Sequence, residues 1–345
     1  MQTILQSYGL DEKLATVIPY GNGLINRTWK INTADGAYIL QKINDSVFKK
    51  PEDIAYNINL LNEYLEQHSP DYFFTAPLRS TDGKAIISID DEGFFRLFPF
   101  VVGSYTREVV ETPEQAYEAA AQFGKFARML SGFDTRKLKK TIPDFHDLSL
   151  RYHYFLLAAE KGNSERIKEA QEWIDQLKAH SNIVIEYEKI KASSQFPLRV
   201  THHDTKISNV LFNSKDKGIC VIDLDTVMPG YFISDVGDMM RTYLSPVNEE
   251  EKDWNKIEVR DEFYKAIVSG YCSEMKNVLT ETEKKYFFYA GKFMVYMQAL
   301  RFLTDHLNNN VYYGARYEGH NLVRAVNQIT LLQRLIEKQG SLPSA

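Results

Sequence analysis

Residues 202–209 read His202-His203-Asp204-Thr205-Lys206-Ile207-Ser208-Asn209, and Asp223 follows 14 positions beyond the asparagine. An H-x-D-x-K-x-x-N loop followed by a second aspartate is the layout that phosphoryl transfer from ATP requires. Such a transfer needs little covalent chemistry from the protein. The site must hold metal-bridged phosphates, screen their charge and aim a hydroxyl at the terminal phosphorus. In that scheme Asp204 accepts the proton of the attacking hydroxyl, and Lys206 stabilises charge on the transferring phosphate. Asn209 and Asp223 offer the hard oxygen donors that magnesium prefers. His202 reads as a packing and hydrogen-bonding strut.

The elements that must position these groups are visible in the pattern. Asn209-Val-Leu-Phe-Asn213 and Gly218-Ile-Cys-Val-Ile-Asp223 are short apolar runs separated by Ser-Lys-Asp-Lys, which predicts a hairpin whose ends bring Asn209 and Asp223 together. Upstream, Ile18 to Ile31 predicts a strand, a glycine turn and a second strand. Its turn has the form G-x-G-x-x-N, with Gly21, Gly23 and Asn26, and Thr28 opens the strand that follows. A third strand, Tyr38-Ile-Leu-Gln-Lys42-Ile43, puts Lys42 where a lysine would hold the α and β phosphates of ATP. A helix is expected from Glu52 to Leu65. The position for an acidic partner of that lysine falls near Asn57, which has no charge, so the ion pair stays open. Phe94 to Val101 reads as a strand entering a proline-containing hinge, where backbone groups around Phe98 and Phe100 would meet the adenine.

Leu198 to Leu211, together with Ile222-Asp-Leu-Asp-Thr-Val-Met-Pro-Gly230, resembles the aminoglycoside phosphotransferase and choline kinase superfamily. Within it the likeness is to the bacterial N-acetylhexosamine 1-kinases. Supporting segments are Pro19 to Gly23 with Tyr38 to Gln41, Asp235-Val-Gly-Asp238, and Arg301-Phe-Leu-Thr-Asp305 through His320 to Arg324. The resemblance implies an α+β, protein-kinase-like fold of two lobes, with Asp204 as base and Asn209 and Asp223 holding magnesium. It also implies that Arg301 and Tyr312 reach a sugar. From its residues alone, Arg301 lies on an amphipathic helix expected from Glu281 to Leu307, and Asp305 four positions later would explain it equally well as a surface ion pair. Tyr312 belongs to an aromatic loop suited to the C–H face of a sugar. Leu24 places an apolar residue at the tip of the glycine turn, which bears on sugar preference. Asp225 reads either as a second metal ligand or as a turn-closing aspartate. Asp235 and Asp238 are expected to cap an apolar helix, and the likeness has Asp235 also bracing the catalytic loop.

A chain of 345 residues, 44% hydrophobic, can bury a large core. The expected division is a β-rich lobe over residues 1–101, with one main helix, and a larger, mostly helical lobe over 102–345. The net charge of −5 and the lack of a Lys/Arg block argue against a nucleic-acid partner. The two cysteines, Cys220 and Cys272, and an N-terminus without a signal-like block suit a reduced, cytoplasmic setting. No apolar run has the roughly 20 residues that span a bilayer. The expected activity is ATP- and magnesium-dependent phosphorylation of the anomeric hydroxyl of N-acetylglucosamine or N-acetylgalactosamine. The alternatives are a kinase of the same fold acting on another sugar, an aminoglycoside, choline or homoserine, and, more distantly, a pseudokinase.

Overall fold

The computed structural model describes residues 1–21 and 25–343, so Gly23 and Leu24 of the expected glycine turn lie outside the described residues. The chain forms two compact units. The first comprises residues 1–106, 129–143 and 211–229, and the second comprises residues 107–128, 144–210 and 230–345. The first unit thus extends slightly past the expected division at residue 101 and takes in two later segments, one of which carries the predicted hairpin.

In the first unit a short helix, α1 (Gln2–Gln6), precedes a five-stranded antiparallel sheet. Its strands are β1 (Thr16–Pro19), β2 (Arg27–Thr33), β3 (Gly36–Ile43), β4 (Ile87–Ile89) and β5 (Gly93–Pro99), in the order β1-β2-β3-β5-β4. Side chains alternate across a strand, so the register decides which residues share a face. Ile31, Leu40, Phe95 and Leu97 point to one face and form a core with Ile4 and Leu5 of α1. Thr28, Gln41 and Arg96 are paired in register across β2, β3 and β5 and point to the other.

Helix α2 (Pro51–His68) starts with proline at its first turn, followed by Glu52 and Asp53, as the helix dipole favours. Its buried stripe is Ile54, Asn57, Ile58, Leu61 and Leu65, a helical spacing interrupted by one polar residue. Asn57 is fully buried. It donates to the carbonyls of Lys139 at 2.8 Å and Val227 at 3.0 Å, and accepts from the Lys139 N–H at 2.8 Å. The predicted hairpin forms between Val210–Phe212 and Gly218–Val221. Its turn is closed by the Asn213 side chain, which accepts from Lys215 and Lys217 N–H, with Asp216 in the left-handed region. Phe212 exchanges two backbone hydrogen bonds with Tyr105.

The second unit is helical. It contains α3 (Pro113–Met129), α4 (Leu148–Lys161), α5 (Ser164–Glu169), α6 (Gln171–Ala179), α7 (Asn182–Ala192), α8 (Phe232–Tyr243), α9 (Asp261–Met275), α10 (Glu281–Lys284), α11 (Phe287–Leu307) and α12 (His320–Glu337). The helix expected from Glu281 to Leu307 is divided. Thr280 and Glu283 form a capping box on α10, and the chain turns at Lys285 and Tyr286 before α11 starts. Glu283 is also held by Arg199 in a two-pronged pair, 2.7 Å at its shorter contact, which anchors the strand leading into the catalytic loop. Helices α8 and α11 touch backbone to backbone. A Cβ on Gly237 would lie 2.4 Å from the Ala290 carbonyl oxygen, so no larger residue fits there. Among the described residues no helix is long and apolar enough to cross a membrane.

Candidate active site

The loop expected to be catalytic is built by the second unit. From the strand Arg199–Thr201 the chain passes His202 to Lys206 into a 3-10 turn, Ile207–Asn209. Helix α8 braces this loop from inside its own length. Asp235 accepts the N–H of His202 at 3.0 Å and of His203 at 2.8 Å, while Asp238 accepts the N–H of Thr205 at 2.8 Å. The Thr205 hydroxyl donates to the Asp235 carbonyl at 2.7 Å, and the Tyr243 hydroxyl donates to the Thr205 carbonyl at 2.5 Å. Asp235 and Asp238 were expected to cap α8, but the helix begins at Phe232 with no side-chain cap. Their carboxylates serve the loop backbone, whose buried N–H groups need acceptors. Burial drives the Asp235 carboxyl up to about 7 against the two N–H bonds that favour its charged form, with Asp238 adding to the rise.

His202 is fully buried and lies edge-on to Phe123 and Phe126, the strut that the sequence suggested. His203 takes a positive φ of 65°, and a Cβ on Gly230 would lie 2.4 Å from its ring. This bend presents Asp204. Lys206 Nζ lies 3.0 Å from Asp204 Oδ2, and the Asn209 amide donates to the carbonyl and to Oδ2 of Asp204 at 2.9 and 3.0 Å. Desolvation raises the Asp204 carboxyl, but Lys206, His202 and the hydrogen bonds from Lys206 and Asn209 outweigh it and hold the group below its ordinary value. A carboxylate so held is ionised at neutral pH and can accept a proton.

A second cluster in this unit surrounds Arg301. Its guanidinium lies 5.3 Å from the Phe145 ring, 5.8 Å from Tyr312 and 5.5 Å from Tyr313, and it donates to Gln298 at 3.2 Å and to the Tyr312 hydroxyl at 3.4 Å. Among the described residues no carboxylate lies within 4 Å of it. Phe145 stacks on His146, and both rings meet His203, at 6.4 and 5.1 Å. The Arg301 cluster therefore adjoins the catalytic loop. Burial, then the neighbouring His203 and Arg301, push His146 well below its ordinary value, so this ring is neutral. Arg151 holds the segment by donating to the carbonyls of Asp144 at 2.9 Å and Phe145 at 3.4 Å. Phe145, His146, Arg151 and Tyr313 lack any motif in the sequence, although Tyr313 adjoins Tyr312.

The first unit separates some expected partners. Lys42 pairs in register with Arg27 and Phe95, on the face packed against α1, and its ammonium lies 5.8 Å from the Phe95 ring. Thr28 and Phe98 stand on the opposite face. Gln41 donates to Thr28 at 3.4 Å, and the Arg96 guanidinium lies 5.1 Å from the Phe98 ring. The register thus puts the Lys42 side chain on the face opposite those of Thr28 and Phe98, because one step along a strand reverses the face. Phe100 donates its N–H to the Ala37 carbonyl at 2.9 Å, which commits a hinge donor to the sheet, and its ring lies under Lys30 at 3.7 Å. Gly21 has a φ of 75°, which suits glycine. Asn26 is buried and bridges, donating to Asp225 Oδ2 at 2.7 Å and accepting the Asn44 N–H at 3.0 Å. Asp225 is also buried and lies 2.5 Å from Arg96, so both its oxygens are engaged. Asp223 sits two residues earlier in the left-handed region, φ 62° and ψ 59°.

Residues 16–280 match the model of the phosphotransferase enzyme family, well over half of the chain. The chain belongs to this family. The phosphotransferase also shares its fold with solved structures. A microcompartment-associated aminopropanol kinase aligns with a TM-score of 0.65 at 15% identity, covering 98% of this chain and 97% of that one. An aminoglycoside phosphotransferase from Alicyclobacillus acidocaldarius aligns at 0.64 and 13% identity, covering 99% and 97%. Amicoumacin kinase, solved with AMP-PNP and Ca2+, aligns at 0.61 and 15% identity, covering 99% and 94%. The α+β architecture of this phosphotransferase, an antiparallel sheet unit and a helical unit, is theirs.

Proposed function

We propose that this phosphotransferase moves the terminal phosphoryl group of ATP to the anomeric hydroxyl of an N-acetylhexosamine, N-acetylglucosamine or N-acetylgalactosamine, giving the sugar 1-phosphate. The observation that carries the reading is Arg301, a guanidinium among three rings, without a carboxylate partner, in a cluster adjoining the loop that presents Asp204. A fixed cation beside the acceptor repels amines, whereas aromatic faces and hydrogen-bond donors suit a neutral sugar. The aminopropanol and aminoglycoside kinases of the same fold are thereby weaker guides to the acceptor than the fold alone would suggest.

Asp204 accepts the proton of the attacking hydroxyl. An anomeric hydroxyl is more acidic than an ordinary alcohol, so a carboxylate below its ordinary value is basic enough for the task. Lys206 keeps that carboxylate ionised and faces the transferring phosphate. The donor chemistry of Asn209 and Asp223 fits magnesium. Asn209 spends its amide N–H groups on Asp204, which leaves its carbonyl oxygen as the donor, and Asp223 contributes a carboxylate. Bound magnesium supplies charge neutralisation to the phosphates. The test is to incubate the protein with Mg-ATP and a panel of N-acetylated hexosamines, hexoses, choline and kanamycin, following ADP release and the phosphorus NMR of the product. A sugar 1-phosphate from the N-acetylated hexosamines alone is expected, and turnover of choline or kanamycin overturns the acceptor assignment.

A further inference from the structure

Arg96 is the largest fully buried side chain of the sheet unit, and it stands in the middle of the apolar run Phe94-Phe95-Arg96-Leu97-Phe98. A buried guanidinium needs a partner and hydrogen-bond acceptors, since desolvation of a lone charge costs several kcal/mol. Both are present. Its Nη1 lies 2.5 Å from Asp225 Oδ1, and its Nε donates to Gln41 at 3.0 Å on the neighbouring strand. The other Asp225 oxygen takes the Asn26 amide, and Asn26 in turn holds the N–H of Asn44, just beyond β3. One buried pair thus joins three chain segments, the end of the glycine turn, the β3–β5 ladder, and the loop after the hairpin.

That loop carries Asp223 in a left-handed conformation, uncommon for side chains in general though tolerated by aspartate, and the contacts on either side of it fix that geometry. Two residues later Asp225 is clamped by Arg96 and Asn26, and two further on the Val227 carbonyl is clamped by Asn57. Asn57 is the α2 residue at the position where an acid was sought. Lys42, on the opposite face of β3, takes no part.

We propose that Arg96, acting through Asp225, is a positioning residue for Asp223. Asp225 is an anchor of the loop and holds no metal itself. The link between the sheet and the loop that carries Asp223 is made by Arg96–Asp225, with Asn26 and Asn57 as neutral staples. This rests on the reading of Asp223 as the magnesium ligand of an ATP-dependent kinase.

The test compares wild type with Arg96→Lys, Asp225→Asn, Asn26→Ala and Lys42→Ala, measuring kcat, the acceptor KM, the magnesium concentration for half-maximal rate, and the thermal shift with Mg-AMP-PNP. Arg96→Lys and Asp225→Asn are expected to raise the magnesium requirement or lower kcat by roughly 10- to 100-fold with the acceptor KM unchanged. Asn26→Ala removes one of the two clamps and leaves the ion pair, so it folds if Asp225→Asn does not, and it should shift the magnesium requirement in the same direction by a smaller factor. An unchanged magnesium requirement together with an unchanged kcat in folded Asn26→Ala and Arg96→Lys overturns the proposal. So does a larger rise in magnesium requirement in Lys42→Ala than in Arg96→Lys. A wild-type protein that shows no thermal shift with Mg-AMP-PNP sinks the kinase reading itself, an outcome separate from wild-type turnover with indifferent variants.

Discussion

Arg301 and Asp305 lie one turn apart on the same face of α11 and do not pair. Asp305 is buried and accepts the N–H groups of Tyr312 and Tyr313 at 2.7 and 2.9 Å and the Asn321 amide at 3.0 Å. Helical spacing permits an ion pair worth a few tenths of a kcal/mol, whereas two partly buried loop N–H groups and a buried amide left without an acceptor would cost up to about 1–3 kcal/mol each. The loop wins, and Arg301 is left to the aromatic cluster.

Arg301→Ala should therefore lower kcat/KM for the acceptor by roughly 10- to 100-fold, a loss of about 1.4–2.8 kcal/mol. The ATP KM should hardly move. Steady-state kinetics with each substrate varied in turn checks this, and a loss confined to ATP would detach Arg301 from the acceptor.

Asp305→Ala should destabilise the protein by about 2–4 kcal/mol, since three donors lose their acceptor at a buried site. Released from Asp305, Tyr312 and Tyr313 should bind the acceptor less well. A urea titration and the acceptor KM measure the two effects, and an unchanged KM would exclude the loop from the acceptor site.

Asp204→Asn should leave Mg-AMP-PNP binding largely intact while kcat falls by roughly 10²- to 10⁴-fold. Turnover equal to wild type would remove Asp204 as the base.

The raised carboxyl of Asp235 predicts a signed pH effect. Its folded pKa of about 7 exceeds the unfolded value, so the stability it contributes is full below about 4 and is lost as pH rises to about 7. The difference in unfolding free energy, wild type minus Asp235→Asn, should decline from about pH 4 to about pH 7 and stay level above. A difference that rises over that window would mean that the two N–H bonds dominate and keep Asp235 ionised.

The parts legible in the sequence were local. The hairpin, four strands of the sheet (β1, β2, β3 and β5, but not β4), α2 and the residues of the H-x-D loop follow from short apolar runs, turn residues and a motif of eight positions, all of which act within a few residues of one another. Asp235 and Asp238 were visible as structural acids, and the family likeness already had Asp235 bracing the loop, but their spacing alone gave only a helix cap and the target of Asp238 was not visible. A spacing near the start of a helix suggests a cap, and only the packing of α8 against the loop turns their oxygens onto the N–H groups of His202, His203 and Thr205.

By itself the sequence determined which chemistry the chain carries, because Asp204, Lys206 and Asn209 sit within one loop whose backbone brings them together. Tertiary structure decided which distant groups meet one another. Lys42 and Gln41 differ by one position, and nothing local says which of them faces α1. The burial of Ile31, Leu40, Phe95 and Leu97 against Ile4 and Leu5 settles it, turning Lys42 to the packed face and Gln41 with Arg96 to the other. Asp225 likewise reads in the sequence as either a metal ligand or a turn-closing aspartate, whereas the fold brings Arg96 and Asn26, 129 and 199 residues away in the chain, to its oxygens.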